Sequence, residues 1–231
     1  MVAGRVKPWN LLPPFGVKET PGERDINRIQ TRLTTQTDTV THVSIVYFSG
    51  TGHTAKMAEA VAKGARAVSG TGVHLLPIEG NDIQSGRFKN DSLMIKLDAS
   101  DAMIFGSPTY MGGPAAQFKA FADATGERWF KAAWKDKLAA GFTVSGGPSG
   151  DKLSTLHYFF TLAMQHGMVW TGLAESPFND KGINRLSSYS GVMGQAMTEP
   201  PEVAPNEADK LTGESLGRRV AEAATRWKRS A

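Results

Sequence analysis

Apolar positions along the chain fall into two rhythms. Short runs rich in β-branched and aromatic residues, at 42–48, 73–78, 101–106, 137–145 and 167–172, predict five buried strands. Between them, apolar residues recur at helical spacing. Ala58, Val61, Ala62, Ala65 and Val68 share one face, and further helices are expected over 115–123, 151–165 and 207–228. A short helix near 92–97 falls within the variable connection 80–97. Pro114 suits the first turn of the helix it precedes, and Asp151 and Asn206 stand where N-caps belong. Glu207 and Asp209 at the start of the last helix, with Arg226, Lys228 and Arg229 at its end, match the helix dipole. Strands alternating with helices predict an α/β fold, a doubly wound five-stranded parallel sheet between two helical layers.

Residues 1–40 break the rhythm. Pro8, Pro13, Pro14 and Pro21, with Gly16 and Gly22, exclude a continuous helix or central strand, and 31–41 is polar and aperiodic. An irregular arm over 1–40 is therefore expected ahead of one domain over 41–231.

Three of the strands end in loops of Ser, Thr, Gly and Pro, and in an open parallel sheet such loops share one edge, where ligands bind. The first, Ser49-Gly50-Thr51-Gly52-His53-Thr54, runs straight into a helix. It is either an anion site, suited to a phosphate monoester held by amides and hydroxyls, or a surface turn. It is not a Walker loop, since no Lys-Ser/Thr pair follows, and Ala55 breaks the dinucleotide fingerprint. The second loop is Ser107-Pro108-Thr109-Tyr110-Met111-Gly112-Gly113, and the third is Ser145-Gly146-Gly147-Pro148-Ser149-Gly150.

Composition narrows the classes. There is no cysteine, which removes disulfides, thiolate nucleophiles, cysteine-ligated zinc and iron–sulfur clusters and fits a cytoplasmic protein; no metal site is expected. No apolar run is long enough to cross a membrane, and 1–40 lacks a secretory core, so neither membrane insertion nor export is expected. The 26 Lys and Arg against 22 Asp and Glu are spread along the chain, with no basic stripe and interleaved aromatics for nucleic acid. Neither a carboxylate pair nor a Ser/His/Asp order makes hydrolysis competitive.

The first loop resembles the FMN phosphate loop of flavodoxin-like proteins. The stretch from Gln117 to Met168 is similar to the WrbA-type NAD(P)H:quinone oxidoreductases. Pro108-Thr109, Phe121-Ala122-Asp123-Ala124-Thr125-Gly126, Trp129, Lys137-Leu138-Ala139, the loop from Ser145 and His166-Gly167-Met168 carry the likeness, in order, and it extends over 43–228. The resemblance implies a flavodoxin-like fold and FMN as cofactor, with NADH or NADPH as electron donor and a quinone-like acceptor. It also implies a homo-oligomer, a dimer or tetramer. On it, Ser49, Gly50, Thr51, Gly52, His53 and Thr54 would hold the phosphate, and Tyr110, Met111 and Gly112, after Pro108 and Thr109, would line the ring through the main chain. Ser145, Gly146, Gly147, Pro148, Ser149 and Gly150 would wrap its pyrimidine end, and His166 would reach the N1/O2 edge. Trp129 would be an aromatic wall for substrate, supplied across a subunit interface in that family. From the residues alone, His166 can equally end a helix, and Trp129 with Phe130 and Trp134 can equally form a hydrophobic cluster. The ring loop departs from the family's Pro-Thr-Arg-Phe-Gly-Asn, and Thr51 stands where Tyr is frequent.

Two functions follow from this. One is a two-electron oxidoreductase; the other is a flavodoxin-type shuttle moving single electrons between proteins. Shuttles clamp the ring between aromatics and present an acidic face. An aromatic-free third loop and a net charge of +4 favour the enzyme.

Overall fold

The computed structural model describes residues 40–230, so the arm expected over 1–40 lies outside the described residues apart from Val40. Strand β1 (Thr41–Tyr47) leads into α1 (His53–Arg66) and β2 (Thr71–Pro77). After a small hairpin come α2 (Asp91–Asp98), β3 (Ala102–Tyr110), α3 (Ala116–Ala124) and the short α4 (Gly126–Phe130). Next are β4 (Leu138–Ser145), α5 (Lys152–Gln165), β5 (Val169–Trp170), β6 (Val192–Gln195) and α6 (Glu207–Ser230).

The central strands pair in parallel in the order β2-β1-β3-β4, with β5 and β6 both on the far side of β4. The order reverses direction between β1 and β3, which makes the carboxyl ends of those strands the topological switch point. Alternate side chains face opposite layers. Val43, Ile45, Ile104, Ala140 and Phe142 pack against Val61 and Ala65 of α1 and Leu216 and Val220 of α6. Val46, Met103, Phe105 and Ala139 pack against Leu97, Phe118, Phe121, Leu156 and Phe159 of α2, α3 and α5. Sheet residues buried on both faces explain why these strands read as unbroken apolar runs.

Two close approaches set the layer spacing. Gly106 leaves room for the Phe142 ring, whose Cζ would lie 2.2 Å from a Cβ at that position. On the α1–α6 side, a Cβ on Gly64 would lie 1.9 Å from the Glu214 carbonyl oxygen, and one on Gly217 would lie 1.9 Å from that of Val61. Backbone meets backbone here, closer than any side chain would permit.

Three details differ from the sequence-based expectation. The fifth strand, expected over 167–172, is only two residues long, and its place in the sheet is shared. Leu138 and Ala139 pair with Val169 and Trp170, whereas residues 142–145 of the same strand pair with 192–195. The chain leaves the sheet between them and returns at Gly191, whose Cβ would meet the Gly141 carbonyl oxygen at 2.4 Å. Pro114 lies ahead of the helix, paired with Thr109 across a hairpin, rather than in its first turn. Asp151 occupies the N-cap position, but in the left-handed region (φ 51°) and without a side-chain cap bond. Asn206 does cap α6, its Oδ1 accepting from the Asp209 amide at 2.9 Å.

Candidate functional site

The loops after β1, β3 and β4 meet at the carboxyl edge of the sheet. In the first, Ser49 Oγ accepts from the amides of Gly52 and Ala55, both at 3.1 Å, which curls the loop onto the start of α1. Gly52 takes φ 92°, a conformation that favours glycine, and Pro201 packs against it. The amides of Thr51, His53 and Thr54 find no acceptor among the described residues, and the first turn of α1 carries no acidic side chain. Unpaired donors at the positive end of a helix fit the dianionic phosphate of FMN.

His53 enters this site through its amide rather than its ring. Its Nε2 donates to the Glu199 carbonyl oxygen at 2.7 Å, and its Nδ1 lies 3.0 Å from Thr51 Oγ1. A carbonyl can only accept, so Nε2 carries a proton, and Nδ1 shares the hydrogen bond with the Thr51 hydroxyl. The imidazole thereby staples residues 197–201 over the loop. The amide of Met197, with those of Glu199 and Thr198, holds the Glu199 carboxyl below the usual carboxylate range.

The second loop is a tight hairpin turn. Tyr110 pairs with Gly113, and Met111 and Gly112 between them both have positive φ, 47° and 77°. That is the type I′ pattern; a non-glycine residue in it stores strain, and Met111 stands fully exposed at its tip. Tyr110 reaches back to the first loop, where its hydroxyl would touch a Cβ on Gly50 at 2.5 Å. Ser154 on α5 donates to the Gly112 carbonyl oxygen, tying the turn to the third loop's helix. Pro108 and Thr109 are buried beneath the edge. Thr109 Oγ1 sits 2.8 Å from both Thr143 Oγ1 and Thr155 Oγ1, so its side chain locks β3, β4 and α5 together.

The third loop, from Ser145 to Gly150, winds around the side chain of Lys152. The lysine is fully buried, and its Nζ donates to Ser145 Oγ at 2.9 Å and to the Gly147 carbonyl oxygen. Met197 lies over Gly146, within 3.1 Å of where its Cβ would be. No aromatic side chain stands in this loop. A cavity of about 780 Å³ opens on its outer side, against Ser149, His157, Arg185 and Met193, but the one guanidinium there is already bound to Asp209 at 2.7 and 2.9 Å.

His166 and Trp129 are placed elsewhere. His166 caps the far end of α5, whose 14 residues span about 21 Å from the third loop. Trp129 lies on α4, close to where β4 begins, also at the amino edge of the sheet. Within one chain, His166 therefore cannot reach the ring edge that the three loops would hold. Instead, His166 stacks on Trp134, ring centroids 4.5 Å apart, with Nε2 2.9 Å from Thr125 Oγ1. The Thr125 hydroxyl donates to Ala122 O at 2.7 Å, so Nε2 must donate and Nδ1 is left a buried acceptor without a partner among the described residues. Burial lowers the His166 pKa and keeps the ring neutral. Trp129 and Phe130 beside it are 52% and 83% exposed.

Sequence reasoning missed Lys152, Met197, Glu199 and Pro201. A lysine after Asp151 reads as a solvated helix start, and Pro200-Pro201 reads only as a break; the one available signal was that this break precedes the closing helix.

A sheet of this order with three glycine-bearing loops at its switch point defines a flavodoxin-like α/β protein. Residues 43–176 match the family described as NADPH-dependent FMN reductase. The chain belongs to that family, in its flavodoxin-like, WrbA-type branch. It is 37% identical over 182 residues to "Flavodoxin FldP" of Pseudomonas aeruginosa, covering 77% of this chain and 93% of that one. It is 35% identical over 160 residues to an "NAD(P)H dehydrogenase (quinone)" of Gluconacetobacter diazotrophicus, covering 66% and 79%. The crystal structure of a WrbA-like flavodoxin from Agrobacterium tumefaciens superposes with a TM-score of 0.63 at 40% identity, over 80% of this chain and 98% of that one. Among the described residues, no helix is long and apolar enough to cross a membrane.

Proposed function

We propose that the chain binds one FMN across its three loops and passes two electrons from NADH or NADPH to a quinone or similar small acceptor. The observation that carries this reading is the pairing of ends at the carboxyl edge. Unpaired amides begin α1 at one end, and an aromatic-free loop of glycines lies at the other. The first suits a phosphate and the second leaves one ring face open to a substrate. When bound, FMN supplies a ring that accepts a hydride from the nucleotide and returns it to the acceptor. The protein's own part is position and electrostatics. Ser49 shapes the cradle that would hold the phosphate, the Tyr110–Gly112 turn would lie against the ring, and the loop after Ser145 would border its pyrimidine edge. The relatives named as quinone-dependent dehydrogenases support the substrate class.

Trp129 keeps a role in this reading only across an interface. We take the active form to be a homo-oligomer, a dimer or tetramer such as a homotetramer, in which the amino edge of one chain meets the carboxyl edge of another. The exposure of Trp129 and Phe130 supports that arrangement for Trp129, whereas His166 is buried within its own chain. The absence of cysteine is consistent with a cytoplasmic setting.

A flavodoxin-type shuttle is the second reading, favoured by the 37% identical relative named a flavodoxin. Steady-state assay separates the two. FMN-loaded protein should oxidise NADH or NADPH with benzoquinone as acceptor, and no turnover with either nucleotide across several quinones would remove the enzyme reading.

A further inference from the structure

Lys152 is a buried cation with no counterion among the described residues. It is the first residue of α5, fully buried, where the helix dipole repels positive charge. No carboxylate among the described residues pairs with it. Asp209 exerts the strongest attraction on it, yet that carboxylate is taken up by Arg185 at 2.7 and 2.9 Å and by the Gln195 amide at 2.9 Å. An ammonium removed from water is costly unless something nearby compensates it.

What it holds is the third loop. Two of its three donors go to Ser145 Oγ and the Gly147 carbonyl oxygen, at either side of Gly146. The loop closes so tightly over it that a Cβ on Gly150 (φ +52°) would lie 2.3 Å from Ser145 Oγ and 3.5 Å from the Lys152 nitrogen. A fixed positive charge thus lies against the backbone of the loop expected to wrap the pyrimidine end of the ring. That is the end where His166 was expected, and His166 sits at the other end of the same helix.

We propose that Lys152 is a positioning residue of the flavin site, whose ammonium shapes the Ser145–Gly150 loop and stabilises the negative charge that two-electron reduction leaves on the ring edge beside it. This rests on the FMN reading of the three loops. Burial lowers its pKa to about 8, which leaves it protonated at neutral pH. A reduced ring bound beside this loop would supply a counterion and offset the cost of burying the cation.

The test compares wild type with Lys152→Gln and Lys152→Met, each loaded with FMN at neutral pH. Affinity for oxidised FMN and the two-electron midpoint potential are both measured, and folding is checked by thermal melting. Gln retains donors for the loop but no charge. It should bind oxidised FMN close to wild type while binding reduced FMN about tenfold less tightly, a potential about 30 mV more negative. Met should show the same fall in potential and a loss of oxidised-FMN affinity as well. Either substitution removes the desolvation cost of an unpaired buried charge, so the variants are expected to fold, which the melting curves check. Potentials equal to wild type in FMN-loaded variants would overturn the proposal and leave the FMN reading intact. A wild-type protein that binds no FMN would overturn both.

Discussion

Gly64→Ala is a substitution whose sign the two available arguments decide differently. In a helix interior, Ala is favoured over Gly by about 1 kcal/mol, so a sequence-level argument expects stabilisation. The structure reverses it. A Cβ at Gly64 lies 1.9 Å from the Glu214 carbonyl oxygen, 2.6 Å from its carbon and 2.7 Å from its Cα. All three are main-chain atoms, so no rotamer change relieves the clash, and α6 must retreat by about 1.5 Å to restore ordinary contact at 3.4 Å. That retreat strips packing from Val61, Ala65, Leu216 and Val220, all fully buried. Overpacking of this kind costs about 1–3 kcal/mol and more when backbone must move, so about 2 kcal/mol net destabilisation is expected after the propensity gain. For a chain this size that is a fall in Tm of about 4–8 °C. Urea denaturation followed by circular dichroism reads it as a lower midpoint at unchanged slope. Gly126→Ala is the control, since nothing lies within 4 Å of its Cβ position, and it should be neutral or slightly stabilising. A midpoint for Gly64→Ala equal to or above wild type would refute the account of the α1–α6 contact.

Ser49→Ala leaves the amides of Gly52 and Ala55 without their acceptor and should weaken FMN binding about tenfold, measured by fluorescence titration; unchanged affinity would remove Ser49 from the cradle. Lys152 has a folded pKa lowered from 10.5 to about 8 by burial, so between those values the unfolded chain binds more protons and stability rises with pH. Wild type should therefore gain on Lys152→Met by about 1–3 kcal/mol from pH 8 to 10.5, and a constant difference in stability would contradict this. His166 has the same sign at lower pH: its pKa is depressed from 6.5 by burial, so stability is lost as pH falls through 6.5, and His166→Gln should lose less. Trp129→Ala, if the side chain serves a neighbouring chain, should be rescued in mixed oligomers with a phosphate-loop variant, since each then supplies what the other lacks. Mixed oligomers with no activity above the two parents would restrict Trp129 to surface packing.

Much of the fold is legible from the hydrophobic rhythm because β1, β3 and β4 are buried on both faces and α1 and α6 on one. The fifth strand is not, since Val169–Trp170 and Val192–Gln195 share one place in the sheet. Each is too short to carry a period, and their joint pairing with β4 is a tertiary fact. Among candidate site residues, the three glycine-bearing loops stand out because turn chemistry is local. The far placement of His166 follows only from the length of α5, and Lys152 is hidden because a buried lysine and a solvated one have the same letter. The His53–Glu199 staple joins residues 146 positions apart, beyond what any local pattern contains.

Anaerobic reductive titration of the FMN-loaded protein with NADPH or NADH, followed by its absorption spectrum, tests the two-electron flavin site most directly. The spectrum should pass from oxidised to fully reduced without an intermediate form and return to oxidised on adding benzoquinone. Accumulation of a stable half-reduced flavin, or no reduction by either nucleotide, would contradict it.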